Sequence, residues 1–356
     1  DRDIFCKIIK CAIQAPSGDN LQPWIIKPKS NFNSFDLSLE TEKDDFFDVD
    51  NTASFISTGT FLENLKIAAL EEGFKTEIKF IDNDINSLNI AEIKFEKTEI
   101  NKKNNKNELY KYIFKRATIR GNYSKKNLEK EFFKEIEEVF KNEKNCKISF
   151  FQKNKKLQKI LFKADLIRLI TKKAQETLYH NVRWNKKEVE KTRTGLDYRT
   201  LGIPAFPKLT LKLLSSWPFE KFIYYTKLNY LIADGAINKP LNNSEGIGIL
   251  SINNYSKLDF IKAGMKLENI WLHLSKYDAY LQPFATITFF IRIIEKKNGD
   301  GFNEKQIEKL KKLKNELIEE TKLPKNEELV MIFRYGKAEK PKIRTIRKNV
   351  EDFIKY

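Results

Sequence analysis

The chain has little of what enzymes commonly use for acid, base or metal chemistry. Its 356 residues include two histidines, His180 and His273, three cysteines, Cys6, Cys11 and Cys146, and two methionines. Two histidines argue against a histidine-rich metal site, and a serine–histidine–aspartate triad would hang on one of the pair. The cysteines form no CxxC pair, and an odd number without regular spacing is a poor disulfide framework. A reducing, cytoplasmic compartment fits that usage. Long apolar runs are missing too. The longest, Phe284 to Ile294, is broken by Thr286, Thr288 and Arg292 and falls short of the ~18 residues that span a bilayer, so no membrane partner is expected. Arginine is also scarce, with 11 among 66 basic residues against 55 lysines.

What is present describes a chain able to fold around a sizeable core. Apolar residues make up 41% and aromatics 12%, and the length is more than twice a typical ~150-residue domain, so two modules are the first expectation. The net charge of +17 invites a nucleic-acid reading, but the lysines are mixed with 49 acids along the whole chain, which describes a solvated surface. The densest basic run, Lys102 to Lys106, is rich in asparagine and carries no aromatic on which a base could stack. No nucleic-acid partner is expected.

Periodicity places helices over residues 3–14, Ser54 to Glu72, Leu128 to Lys141, Lys155 to about Thr192, Lys257 to Leu274 and Asn303 to Thr321. Strands are expected at Trp24 to Ile26, Asp36 to Leu39, Thr76 to Phe80, Phe222 to Asp234, Ile247 to Ile252, Phe284 to Ile294 and Glu328 to Tyr335. Pro204, Pro207 and Pro218 interrupt the stretch between. Residues 82–107, rich in Asn, Lys and Asp, form the expected join between modules. The sum is an α+β chain, with sheets covered by helices in an α/β sandwich.

One stretch recurs. Phe55-Ile-Ser-Thr-Gly59-Thr-Phe-Leu62-Glu63-Asn64-Leu65 aligns without gaps on Phe260-Ile-Lys-Ala-Gly264-Met-Lys-Leu267-Glu268-Asn269-Ile270, with six identities at a constant offset of 205. Amphipathic patterning alone does not demand the same Gly and the same Glu-Asn pair, so a duplication is expected.

Three segments carry possible chemistry. In Ala15-Pro16-Ser17-Gly18-Asp19-Asn20-Leu21-Gln22-Pro23-Trp24 a helix ends among small residues, and Ser17 and Asn20 offer a hydroxyl and an amide to a ligand or to an ordinary turn. In Arg116-Ala117-Thr118-Ile119-Arg120 an extended backbone would present two guanidiniums and a hydroxyl to one side, the outline of a phosphate clamp or of a solvated basic turn. The tail Lys342-Ile343-Arg344-Thr345-Ile346-Arg347-Lys348 adds two more arginines, as a further phosphate contact or a plain basic terminus. Gly246-Ile-Gly248 lacks the third glycine of a dinucleotide fingerprint.

Together these residues carry a resemblance. APSGDNLQPW after a helix, RATIRGNY, two long helices with G-x-x-L-E-N and a terminal RYG…RTIRK resemble the nitroreductase superfamily of flavin mononucleotide (FMN) enzymes, in its long form with two fused halves. The resemblance implies a mixed sheet flanked by helices, with two pseudo-repeated halves forming an internal dimer, residues 1–107 and 108–356. The assembly would be a monomer of that kind or a homodimer. It also implies one FMN site per chain. Arg116, Thr118 and Arg120 match the phosphate element, Arg344 or Arg347 the terminal basic contact, and Pro16, Ser17 and Asn20 the ligands from the opposite subunit. Leu281-Gln282-Pro283-Phe284-Ala285 matches the loop that offers a backbone N–H to the flavin ring, with Gln282, Pro283 and Phe284 at its centre. The implied activity is an FMN-dependent, ping-pong oxidoreductase that carries hydride from NAD(P)H to a small acceptor such as a nitroaromatic or quinone. Its alternative is a flavin-sequestering or sensing protein without turnover. No catalytic side chain and no metal are implied, because the flavin carries the chemistry.

Overall fold

The computed structural model describes residues 2–41, 45–98, 107–202, 212, 225–324 and 326–356. The first part contains α1 (Arg2–Ala12), β1 (Trp24–Pro28), β2 (Ser34–Leu39), α2 (Thr52–Glu71), β3 (Phe74–Phe80) and β4 (Asn89–Lys97). Its strands form an antiparallel sheet in the order β1-β2-β4-β3. Ile26, Phe35, Leu37, Ala91 and Ile93 turn inward while Lys27, Glu92 and Lys94 face water, the alternation that a one-sided sheet requires.

Next come α3 (Lys130–Phe140), β5 (Cys146–Phe151), α4 (Lys155–Leu169), α5 (Lys172–Asn181), β6 (Val182–Arg183), α6 (Lys186–Thr192) and β7 (Leu196–Asp197). After these lie α7 (Leu228–Ala233), α8 (Lys239–Asn242), β8 (Gly246–Ile252), α9 (Lys257–Lys276), β9 (Ala279–Pro283), α10 (Thr286–Lys296), α11 (Glu304–Thr321) and β10 (Glu328–Lys337). The second antiparallel sheet runs β5-β8-β10-β9 and is covered on both faces. Leu250, Ile252, Val330 and Phe333 join the core that contains α2 and α9, whereas Ile249 and Ile332 join a second core under α4, α10 and α11. The architecture is α+β. The ladders of both larger sheets are antiparallel, and parallel bridges occur beside their outer strands, Ile26 with Ile354 and Thr118 with Leu281.

Four expected elements need correction. Residues 284–294 are not a strand: Ile287, Phe290, Ile291 and Ile294 are buried at steps of three and four, the spacing of helix α10. Its Arg292 is 1% exposed, lies over the Phe260 ring and donates to Thr52 Oγ1 and to the carbonyls of Leu329 and Val330. The described part of 222–234 is helical rather than extended, since Ala233, Ile237 and Leu241 recur every four residues through a π-helical turn, Asp234–Asn238. Residues 155–192 make three helices. The chain turns extended at Thr171, whose hydroxyl donates to Ile167 O, and breaks again where Val182–Arg183 pairs with Leu196–Asp197. The expected join at 82–107 contains β4, an inner strand of the first sheet. Pro204, Pro207 and Pro218 lie outside the described residues.

The two recurrent segments meet. A methyl group on Gly59 would sit 2.7 Å from Gly264 Cα and overlap the carbonyl oxygen of Ile261; one on Gly264 would sit 3.0 Å from Gly59 Cα and overlap that of Ile56. The contacts are reciprocal at the 205-residue offset. Helices α2 and α9 therefore cross backbone to backbone, and no side chain fits at either glycine.

The chain also exchanges arms across this crossing. Phe46 and Phe47, which precede α2, pack on Phe290 beneath the second sheet at 6.3 and 6.4 Å between ring centroids. In return the C-terminal tail reaches β1, where Phe353 packs on Trp24 at 6.0 Å.

Gly59→Ala tests the crossing. Alanine should gain ~1 kcal/mol of helix propensity, but separating the helices should cost more, for a net loss of about 2 kcal/mol. The denaturant midpoint should fall, and Gly264→Ala should behave alike. A variant as stable as the parent would show that the close approach is not required.

Candidate anion site at the helix crossing

Four arginines converge at one end of the crossing. Gln14, Arg116, Thr118, Arg120, Thr200, Arg344 and Arg347 help to line a cavity in which the space open to a water centre is about 60 Å³. That admits a few waters or one tetrahedral oxyanion, not a fused three-ring heterocycle.

Each guanidinium is aimed by backbone oxygens. Arg116, 4% exposed, stacks on Trp271 at 4.8 Å, donates from Nη2 to Gln14 O at 2.7 Å, and holds Glu268 Oε1 3.3 Å from its Nε. Arg120 donates to Thr200 O at 3.2 Å. Arg344 grips the carbonyls of Phe114 and Arg116. Arg347 donates to Ile13 O, Gln14 O and, at 2.7 Å, Asn20 Oδ1. Carbonyls orient these groups without neutralising them, and a guanidinium has five donors to place. Burial pushes the pKa values of Arg116, Arg120, Arg344 and Arg347 down, and Arg116 lowers those of Arg344 and Arg347 further. A buried excess of positive charge is what an anion would relieve.

The first part of the chain supplies Gln14 to the lining and a turn that meets Arg347. Asp19, Asn20 and Gln22 all have positive φ, and the turn is tied down by side chains. Ser17 Oγ accepts from Gln22 N, Gln22 Nε2 donates to Arg193 O at 2.8 Å, and Gln22 Oε1 accepts from Lys348 N. Asn20 Nδ2 donates to the carbonyls of Arg193 and Ile346. A segment from Arg193 to Gly202 thus crosses the site, with Gly202 packed on the stem and backbone of Arg120.

The expected residues divide into two groups. Arg116, Thr118, Arg120, Arg344 and Arg347 share the cavity, and Asn20 reaches it through Arg347. Ser17 is engaged in its own turn, and the Pro16 carbonyl accepts from Thr60 Oγ1. Gln282, Pro283 and Phe284 lie at the end of β9 and just past it. Gln282 Oε1 accepts from Arg334 Nε, Pro283 has no N–H, the Phe284 N–H is taken by Ile332 O, and the Phe284 ring enters the second core. Gln14, Thr200, Arg193 and the bridging role of Gln22 were not anticipated. Gln22 sat within a quoted motif, but Thr200 and Arg193 have no local signal because only the tertiary fold brings them here. Among the described residues no cluster of three His, Cys, Asp or Glu could hold a metal, and no helix is long and apolar enough to cross a membrane.

No family model matches the sequence. The uncharacterized protein MT1398 of Mycobacterium tuberculosis is 21% identical over 344 residues, which are 96% of this chain and 47% of that protein. The chain therefore spans about half the length of the curated relative it matches. Among solved structures it is similar to an FMN-bound nitroreductase from Desulfitobacterium hafniense, with 13% identity, 70% of this chain and 98% of that one covered, and a TM-score of 0.38. It is likewise similar to the FMN-dependent nitroreductase NfnB of Mycobacterium smegmatis in complex with NADPH, with 11% identity, the same coverage and a TM-score of 0.38. An FMN-bound nitroreductase from Bacteroides fragilis has 10% identity, 68% and 94% coverage and a TM-score of 0.37.

A dianion such as sulfate should raise the thermal midpoint by specific binding, an effect worth ~2.7 kcal/mol at a hundredfold excess over Kd. Arg116→Ala combined with Arg120→Ala should retain only the smaller, general stabilisation that sulfate gives any protein. Equal responses from parent and variant would show that these arginines do not form the site.

Proposed function

We propose that the chain is an FMN-dependent NAD(P)H oxidoreductase of nitroreductase type, acting by ping-pong hydride transfer on a small nitroaromatic or quinone-like acceptor. The observation that carries this reading is the convergence of Arg116, Thr118, Arg120, Arg344 and Arg347 on one cavity walled by Gln14. Their chemistry fits the phosphate end of FMN, since guanidinium forks match phosphate oxygens and Thr118 adds a hydroxyl. When bound, the flavin supplies the hydride chemistry. The protein's part is to hold the phosphate with its arginines and to fix Asn20 through Arg347.

The same reading treats residues 1–107 and 108–356 as fused, duplicated halves that complete one site between them. Its support is the 205-residue offset of the Gly59–Gly264 crossing and the contact of first-half Asn20 with second-half Arg347. A cytoplasmic flavoprotein without a nucleic-acid partner, working as a monomer with an internal pseudo-dimer or as a homodimer, accords with the composition. A second reading, a flavin-sequestering or sensing protein, is favoured by the segment over the site, where the Arg193 and Thr200 carbonyls receive Asn20, Gln22 and Arg120.

The purified protein should be yellow, with close to one FMN per chain, and should oxidise NAD(P)H in a flavin-dependent way. Bound flavin without NAD(P)H oxidation would select the sequestering reading. Two FMN per chain would overturn the single shared site, and a protein that stays colourless with added FMN would overturn both readings. Asn20→Ala should weaken FMN binding by about tenfold, as expected for a lost hydrogen bond to a charged group.

A further inference from the structure

Glu268 stands behind the cavity as a carboxylate within the arginine cluster. It is fully buried on α9, with Oε1 3.3 Å from Arg116 Nε. Neither carboxylate oxygen has a hydrogen-bond partner among the described residues; the same is true of Arg116 Nε and of both polar atoms of the Asn64 side chain. Its counterpart at the 205-residue offset behaves differently. Glu63 Oε1 accepts from Asn269 Nδ2 at 3.0 Å, whereas in the equivalent pair Asn64 sits beside Glu268 and lowers its pKa without a hydrogen bond of ordinary geometry. Glu268 thus acts first as the counter-charge of Arg116, with Arg347 a weaker one, and lacks the close hydrogen bonds that make a buried carboxylate inexpensive.

We propose that Glu268 is a positioning residue for Arg116 and takes up a proton when an anion enters the cavity, so that binding of a phosphate-type group is coupled to protonation of this carboxylate. The inference rests on the cavity being the phosphate-group site proposed above. Before binding, the carboxylate balances Arg116. An arriving dianion takes over that balance and adds negative charge nearby, which raises the cost of keeping Glu268 ionised. The proton comes from solvent, and no bond other than O–H forms.

The groups that face Glu268 are Arg116 before the Thr118 bridge, Arg347 from the tail, and Glu63 and Asn64 from α2. Elsewhere on α9, Lys266 is engaged by Glu143, and Lys276 by Glu108 and Glu135. Burial already pushes the Glu268 carboxyl up to about 7, against the pull of Arg116. Uptake should therefore be visible above neutral pH, where the unliganded carboxylate is mostly ionised.

Calorimetric titration of the full chain with sulfate, a dianion throughout pH 6–8, tests this in two buffers of different ionisation enthalpy. At pH 7.5 a substantial fraction of one proton should be taken up per sulfate bound, and affinity should rise about fivefold or more from pH 8 to pH 6. Glu268→Gln should abolish the uptake, flatten the pH dependence and bind sulfate more tightly than the parent at pH 8. Sulfate binding without proton uptake by the parent would overturn the coupling and leave the anion site standing. Uptake that persists in Glu268→Gln would assign the proton elsewhere and overturn the role of Glu268. If Glu268→Gln does not fold, the parent's proton count and pH profile still decide whether coupling exists, and Glu268→Asp should shift that profile if Glu268 carries it. Absence of sulfate binding would overturn the site and this inference together.

Discussion

Helices α2 and α9 cross with their backbones in contact because Gly59 and Gly264 meet there, and that approach sets where the other elements lie. A helix pair separated by ordinary side chains runs 8–10 Å apart. Here the glycines remove that layer, so polar residues beyond the crossing come within reach of the opposite helix. One such pair, Glu63 with Asn269, forms a tie between the helices. The same side of the glycines carries Glu268 and Trp271, the two groups against which Arg116 is placed. Widening the crossing would withdraw both the counter-charge and the aromatic face of that arginine.

The arginine cluster is then a matter of electrostatics. Arginine holds its charge when buried and can bond several carbonyls from one plane, which a lysine ammonium cannot match in geometry. This explains why four of 11 arginines gather at one site in a chain that uses lysine elsewhere. Carbonyl partners fix the orientation of each fork but return only partial charge. Glu268 beside Arg116 and the half-buried Asp19 near Arg120 are the acids set against four guanidiniums, and an anion in the cavity would supply further negative charge.

Much of the chain was legible in its sequence where one local signal dominated. Both long helices appeared at their true places because their apolar faces repeat over twenty residues and their ends are marked. The convergence of Arg116 with Arg120 and the tail arginines was implied by the family resemblance, since residue type and spacing alone left a solvated turn and a plain basic terminus open. The run at 284–294 misled because an apolar stretch buried on most sides has no clear period, and Arg292 looked like an interruption when it is a buried tie to Thr52. Strand β4 was hidden by the charged residues of its solvent face, although Ile93 and Phe95 alternate with Lys94 and Glu96. The covering segment from Arg193 to Gly202 had no signal of its own, since its role comes from two carbonyls that any residues could provide.

The exchanged arms tie these features into one unit. Phe46 and Phe47 send the early chain under the second sheet, while the tail crosses back to Trp24 and Ile26. On its way the tail leaves Arg344 and Arg347 in the cavity and gives the Lys348 N–H to Gln22. The site is therefore assembled only when both parts of the chain are docked, because Asn20 and Gln22 come from one and Arg116, Arg120 and the tail from the other. A ligand that binds this completed arrangement and not the undocked chain must, by linkage, favour docking of the two parts by the same free energy with which docking favours the ligand.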